Sequence, residues 1–150
     1  MKIALASDHG GYQLKSRLKD FLEARGIEAV DLGVDDEESV DYPDFGEQVA
    51  LAVVGGKADA GIVVCGTGIG ISIAANKVRG IRAALVTDPF MARMAREHND
   101  ANVLALGGRV LDADTACECV AAWLDATFEG GRHQRRLDII ARIEREQACL

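Results

Sequence analysis

Five short apolar runs, each followed by a longer amphipathic stretch, set the limits on how this chain can fold. Lys2 to Ser7, Ile27 to Leu32, Ala60 to Cys65, Ile81 to Val86 and Val103 to Leu106 read as strands. Gly11 to Arg25, Pro43 to Val54, Ile69 to Val78, a segment opened by Asp88-Pro89, Ala113 to Phe128 and Arg132 to Gln147 read as helices. In the first helix Leu14, Leu18, Phe21 and Leu22 share a face, and Gly26 stands where a C′ glycine ends it. Asp88 and Pro89 form an N-cap and N1 pair, starting a helix that carries Met91, Met94 and Ala95 and ends near His98-Asn99. Such alternation predicts an α/β, Rossmann-like, doubly wound sheet of five parallel strands with helices on both faces. No linker, repeat or low-complexity tract divides the chain, so residues 1–150 are expected to form one domain.

Composition narrows the function classes. Aromatics are only 5% of the 150 residues, so the core must rest on Ala, Val, Ile and Leu. The 24 acidic and 17 basic residues leave a net charge of -7, which argues against nucleic acid or an anionic membrane as partner. No apolar run approaches the ~20 residues of a membrane span, and Lys2 to Ala6 is too short for a secretory signal core. Cys65, Cys117, Cys119 and Cys149 show neither a CxxC pair nor a zinc-ligand spacing. Free thiols in a reducing cytoplasm are the expectation, with Cys117 and Cys119 on different faces of one helix.

In a doubly wound sheet, ligands bind at the carboxyl ends of the strands. Ser7-Asp8-His9-Gly10-Gly11 follows the first strand, Thr87-Asp88 the fourth, and Gly107-Gly108-Arg109 the fifth. The third strand runs into Cys65-Gly66-Thr67-Gly68-Ile69-Gly70. Glycines at alternate positions let backbone N–H groups converge on one point, and a helix starting at Ile69 adds positive potential there. A thiol beside such a nest is expected to ionise more easily than the ~8.5 of free cysteine, which suits a base or nucleophile next to a developing anion. Arg132 and Arg136 lie one helical turn apart, a spacing at which two guanidinium groups can grip one phosphate. His98-Asn99 ends the helix before the fifth strand and so falls nearer the opposite rim, where a neighbouring subunit would be its recipient.

Plainer readings stand beside these. Asp8 suits a helix cap, His9 a solvated loop, His98 a C-terminal dipole partner, Cys65 a small buried hydrophobe, and the arginines a solvated basic face. Three phosphate-binding alternatives fit poorly. The glycine spacing is G-x-G-x-G after the third strand, not the G-x-G-x-x-G that follows the first strand of a dinucleotide fold. No Gly-Lys-Ser/Thr closes a Walker A loop. Ile71 and Ser72 stand where a cysteine phosphatase would place its arginine.

Taken together, the chain from Lys2 to about Glu146 resembles the type B ribose-5-phosphate isomerases, a family that also holds allose- and galactose-6-phosphate isomerases. The resemblance rests on Ser7-Asp8-His9-Gly10-Gly11, Asp41-Tyr42-Pro43, the Cys65 to Gly70 turn with Ser72 and Ala74-Ala75-Asn76-Lys77, and Gly80-Ile81-Arg82-Ala83. It continues through His98-Asn99-Asp100-Ala101-Asn102-Val103, Gly107-Gly108-Arg109 and Glu129-Gly130-Gly131-Arg132-His133. The resemblance implies aldose–ketose isomerisation through a cis-enediolate, without metal or organic cofactor. Cys65 would be the base, Thr67 would assist proton transfer between oxygens, and His98 would open the furanose ring. The backbone of Gly66, Gly68, Ile69 and Gly70 would hold the enediolate oxygen. Asp8, Tyr42 and Asn99 would contact sugar hydroxyls, with Asp8 also helping in ring opening. His9, Arg132 and Arg136 would bind phosphate with Arg109 and His133 in support. It also implies a homodimer or homotetramer whose site is shared between subunits, the C-terminal helix reaching the partner. Substrate length, five carbons or six, is left open, as is a non-catalytic phosphosugar sensor on the same fold.

Overall fold

The computed structural model describes residues 1–149. Five parallel strands form its sheet: β1 (Lys2–Ser7), β2 (Glu28–Asp31), β3 (Ala60–Cys65), β4 (Ala83–Leu85) and β5 (Val103–Gly107). Their order is β2-β1-β3-β5-β4, with Leu5 aligned to Ile62, Ile62 to Leu104, and Leu104 to Ala84. The helices are α1 (Tyr12–Ala24), α2 (Tyr42–Val54), α3 (Ile69–Ala75), α4 (Pro89–Glu97), α5 (Ala113–Asp125) and α6 (Arg132–Ala148).

The period-two alternation of the strands builds two unequal cores. Ile3, Leu5, Ile62, Val64, Leu104 and Leu106 face α1, α4 and α5, around the fully buried Trp123. Ala4, Ala6, Val63, Cys65, Val103 and Ala105 face α2 and α3. The second face carries smaller side chains, and the helices over it pack tightly: a Cβ on Gly46 of α2 would lie 3.0 Å from the Ile71 carbonyl oxygen. Trp123 fills the larger core and donates its indole N–H to the Ala101 carbonyl at 3.0 Å, so its one polar atom is satisfied. Cys117 and Cys119 both lie in this core, because α5 is sandwiched between α1 and α4. Cys117 lies within reach of the Arg17 charge and Cys119 within reach of that of Asp88.

Several boundaries differ from the sequence expectation, and three elements show a visible reason. The helix expected to run to Val78 ends at Ala75, because the Asn76 side chain turns back to Ala83, accepting its N–H at 2.8 Å and donating to its carbonyl at 2.9 Å. The fourth strand shrinks from Ile81–Val86 to Ala83–Leu85, since the Asn102 side chain takes the Arg82 N–H at 2.8 Å. The first helix opens with a 3-10 turn at His9–Gly11, where Asp8 Oδ1 accepts the Gly11 N–H at 3.2 Å. The fifth helix stops at Asp125, with Ala126 already extended; no contact in the structure explains it.

The crossovers position the site. From β1 and β5 the chain leaves toward the α1/α5 face, whereas from β3 it leaves toward α3 on the other face. The connections therefore part above the carboxyl end of β3, where Cys65 stands. Helix α6 covers little of the body. His133 and Leu137 are buried, but Ile139, Ile140 and Ile143 are each nearly half exposed. A groove of about 650 Å³ lies between α6 and the β4 edge, with Ile81, Arg82, Ala84 and Asn99 on one wall and Ile140 and Ile143 on the other.

Candidate active site

Cys65 closes β3 with only 5% of its surface exposed. The chain then turns through Gly66, Thr67 and Gly68 into α3. Gly68 has φ +80°, and a Cβ there would fall 2.9 Å from the Leu106 carbonyl carbon, so both conformation and space demand glycine. The turn aims the Gly68 N–H at Cys65 Sγ, 3.1 Å away. Thr67 Oγ1 accepts the Ile69 N–H at 3.2 Å. The loop after β5 clamps the turn from beside it: Gly108 N–H donates to Cys65 O at 2.8 Å and Arg109 N–H to Gly66 O at 2.9 Å. The nest is thus held by backbone on two sides.

Side chains enclose what the backbone shapes. The Arg109 guanidinium lies across the turn, with Nη1 2.8 Å from where a Gly66 Cβ would be and Nη2 3.3 Å from that position on Gly10. The Tyr42 ring lies over Gly70, 2.6 Å from where its Cβ would be. A cleft of about 370 Å³ opens beside the nest, lined by His9, Gly10, Gln13, Glu37, Gly108 and Arg109. His9 Nδ1 accepts the Val40 N–H at 3.2 Å, so a neutral ring presents its proton on Nε2. Asp8, nearly buried, does serve as a cap, as its plainer reading had it. Gln13 and Glu37, joined by a 2.6 Å hydrogen bond, line this cleft and carried no sequence signal, because only the fold brings residue 37 to residue 13.

The other thiols have a different character. Burial pushes Cys117 up and Cys119 to about 11, so both are held as neutral core thiols. Cys149 is exposed.

A second cluster forms at the opposite rim. Helix α4 runs against the strands, so Asp88 caps it at the rim of the strands' carboxyl ends and His98 ends it at the far side. The length of β3 alone, six residues, separates the two rims by roughly 17 Å. There His98 stacks on His133 of α6, with ring centroids 4.1 Å apart and planes 12° from parallel. Glu129 Oε2 lies 3.4 Å from His133 Nε2 and 4.0 Å from His98 Nε2. Asn99 lines the groove under α6, its carbonyl accepting from Arg82 Nε at 3.0 Å. Arg132 and Arg136 stand exposed on α6. Within one chain, then, Asp8, His9, Tyr42, Cys65 to Gly70 and Arg109 gather at one rim. His98, Asn99, Arg132, His133 and Arg136 lie elsewhere. Glu129 received no role from the sequence, because it precedes the Gly130-Gly131 break outside α6 and only the fold brings it to both histidines.

Comparison with known proteins identifies the family. The family model described as Ribose/Galactose Isomerase matches residues 3–140. The chain belongs to that family. It is 51% identical to ribose-5-phosphate isomerase B of Escherichia coli over 146 residues, covering 97% of this chain and 98% of the relative. Ribose-5-phosphate isomerase B of Clostridium thermocellum superposes with a TM-score of 0.97 at 60% identity, over 98% of this chain and 99% of that one. The Mycoplasma genitalium ribose-5-phosphate isomerase B, solved with bound ribulose-5-phosphate, gives a TM-score of 0.92 at 45% identity, over 97% of both chains. As a member of this family the chain is an isomerase. Among the described residues, no helix is long and apolar enough to cross a membrane.

Proposed function

We propose that this protein interconverts D-ribose 5-phosphate and D-ribulose 5-phosphate through a cis-enediolate, with Cys65 as the base. The observation that carries the reading is the 3.1 Å contact from the Gly68 N–H to Cys65 Sγ at the mouth of the glycine nest. An amide aimed at sulfur suits a sulfur that bears negative charge during turnover. The same nest suits the negative oxygen of an enediolate.

The open-chain aldose carries an acidic hydrogen on C2, beside the C1 aldehyde. Cys65 takes that proton, the electron pair moves into a C1–C2 double bond, and negative charge settles on O1 within the nest. Thr67 relays the O2 proton to O1, and Cys65 returns the first proton to C1. The product has its carbonyl at C2, with no atom gained or lost. Because only protons move, the chemistry calls for neither metal nor organic cofactor.

Ring opening and phosphate binding fall to the far rim. His98 opens the furanose, Asn99 contacts a hydroxyl, and Arg132, His133 and Arg136 bind the phosphate together with His9 and Arg109. The roughly 17 Å between rims supports a second copy as the source of these groups. We therefore propose at least a homodimer, its exposed α6 isoleucines covered by the partner, acting in the cytoplasm. Asp8 and Tyr42 complete the sugar contacts from the nest side.

The test is ribulose 5-phosphate formation from ribose 5-phosphate in chelated buffer, with Cys65→Ala alongside. Activity that survives chelation and disappears with Cys65 supports the reading. A Cys65→Ala protein as fast as wild type overturns it. The matched family model also embraces galactose isomerases, so kcat/KM for five- and six-carbon phosphates decides the substrate length.

A further inference from the structure

We propose that His98, Glu129 and His133 form a binding site for a first-row transition-metal ion such as Zn²⁺, and that its occupancy inhibits turnover. One ligand atom from each residue lies within 4.8 Å of the other two. A tetrahedral ion with bonds of ~2.0–2.1 Å places neighbouring donors about 3.4 Å apart. Glu129 Oε2 is already 3.4 Å from His133 Nε2, and its 4.0 Å gap to His98 closes by a small side-chain rotation. His98 and Glu129 are open enough to make that rotation, with side-chain exposures of 36% and 52%.

The scaffold brings the three ligand-bearing segments together before any ion arrives, and the partly exposed His98 ring must turn out of its 12° stack on His133 to aim its lone pair at a shared ion. His133 is buried in the first turn of α6, and its N–H is fixed to the Gly130 carbonyl at 3.0 Å. The Glu129 N–H donates to the carbonyl of Glu97, the residue before His98, at 3.0 Å. The two segments that supply the ligands are therefore tied together through their backbones. Two imidazoles and a carboxylate match zinc, copper, nickel or cobalt, whereas Mg²⁺ and Ca²⁺ prefer sets made wholly of oxygens. Three protein ligands leave a fourth position for water or a substrate oxygen. The inhibitory part rests on the role given above to His98, because an imidazole nitrogen bound to a metal cannot move a proton. The binding part does not depend on that role.

Untagged Cys65→Ala protein is titrated with Co²⁺, which keeps the nest thiol out of the measurement. The expected result is one ion per chain, with visible d–d bands, no thiolate-to-metal charge-transfer band, and displacement by Zn²⁺. Glu129→Ala, an exposed substitution compatible with folding, weakens binding by at least about tenfold, and His133→Ala does the same. In the wild-type background Zn²⁺ slows ribose 5-phosphate isomerisation reversibly, and Glu129→Ala escapes that inhibition with its metal-free turnover unchanged. No Co²⁺ binding at millimolar concentration overturns the site, as does a spectrum explained wholly by thiolate or equal affinity in Glu129→Ala. Binding without inhibition keeps the site but overturns its inhibitory part, and with it the role of His98 in ring opening.

Discussion

The two rims of this molecule are built on opposite plans. At the Cys65 rim the functional atoms belong largely to the backbone, locked by the 2.8 and 2.9 Å bonds from the loop after β5 and by glycines with no room for a Cβ. At the His98 rim they belong to side chains on helix ends, on a helix whose isoleucines lie half in solvent. The first is finished within one chain. The second has the form of a contribution waiting for something to contribute to. On the proposed mechanism, the contrast would put preorganisation for charge where the carbons react and adaptable groups where the ring and most of the phosphate are gathered.

The sharpest way to break the contrast is to remove the sulfur. Cys65→Ala is expected to lower kcat by on the order of 10²–10⁴, the usual range for a general base, with little change in KM. Steady-state kinetics on ribose 5-phosphate measures it. Next comes the backbone itself. Gly68→Ala forces a Cβ onto a φ of +80° and against Leu106. Activity should fall by about 10²-fold as the nest donors shift, while far-ultraviolet circular dichroism stays native. A wild-type rate in that variant would mean that the nest is not an oxyanion site.

Mixing sharpens the division between rims. Cys65→Ala and His98→Ala chains, each inactive alone, are refolded together in equal amounts. Random dimers then include hybrids with one intact site, and about a quarter of wild-type activity should return. No recovery, with hybrids verified by native mass spectrometry, would place the working His98 and Cys65 in the same chain.

The smallest effect concerns the acid side. Burial works to raise the Asp31 carboxyl, but the Lys15 ammonium 2.7 Å away and the Gly33 N–H outweigh it and hold the group below its ordinary 3.8. A carboxyl depressed in the folded state adds stability above about 3.8 and loses it as pH falls through the folded value. The urea midpoint should therefore drop below pH 4, and Asp31→Asn should flatten that limb by under about 1 kcal/mol, since the carboxyl is partly solvated. An unchanged acid limb in the variant would remove Asp31 from the account.

Much of the Cys65 rim was readable because it is contiguous: one strand, one turn, one helix start, with glycines spaced for a nest. The far placement of His98 was readable too, since a helix that follows a parallel strand must run back. Strand order was not. Nothing local tells β5 to enter between β3 and β4, because that choice depends on which surfaces α4 and α5 share. The resemblance gave Arg109 a supporting place at the phosphate, but its position across Gly66 follows from that strand order. The early ends of α3 and β4 escaped detection because Asn76 and Asn102 replace ladder partners with side-chain amides, a substitution that period and propensity do not register.

The order β2-β1-β3-β5-β4 has a consequence for how the chain is made. When residues up to about 100 have left the ribosome, β3 and β4 both exist, yet the slot between them is empty. Neither the Gly61–Cys65 edge nor β4 gains its neighbour until Val103–Gly107 slides in. The nest clamp from Gly108 and Arg109 arrives with that same segment. Synthesis therefore leaves an open seam through the middle of the sheet for most of its course, and one late strand closes the fold and arms the chemistry together.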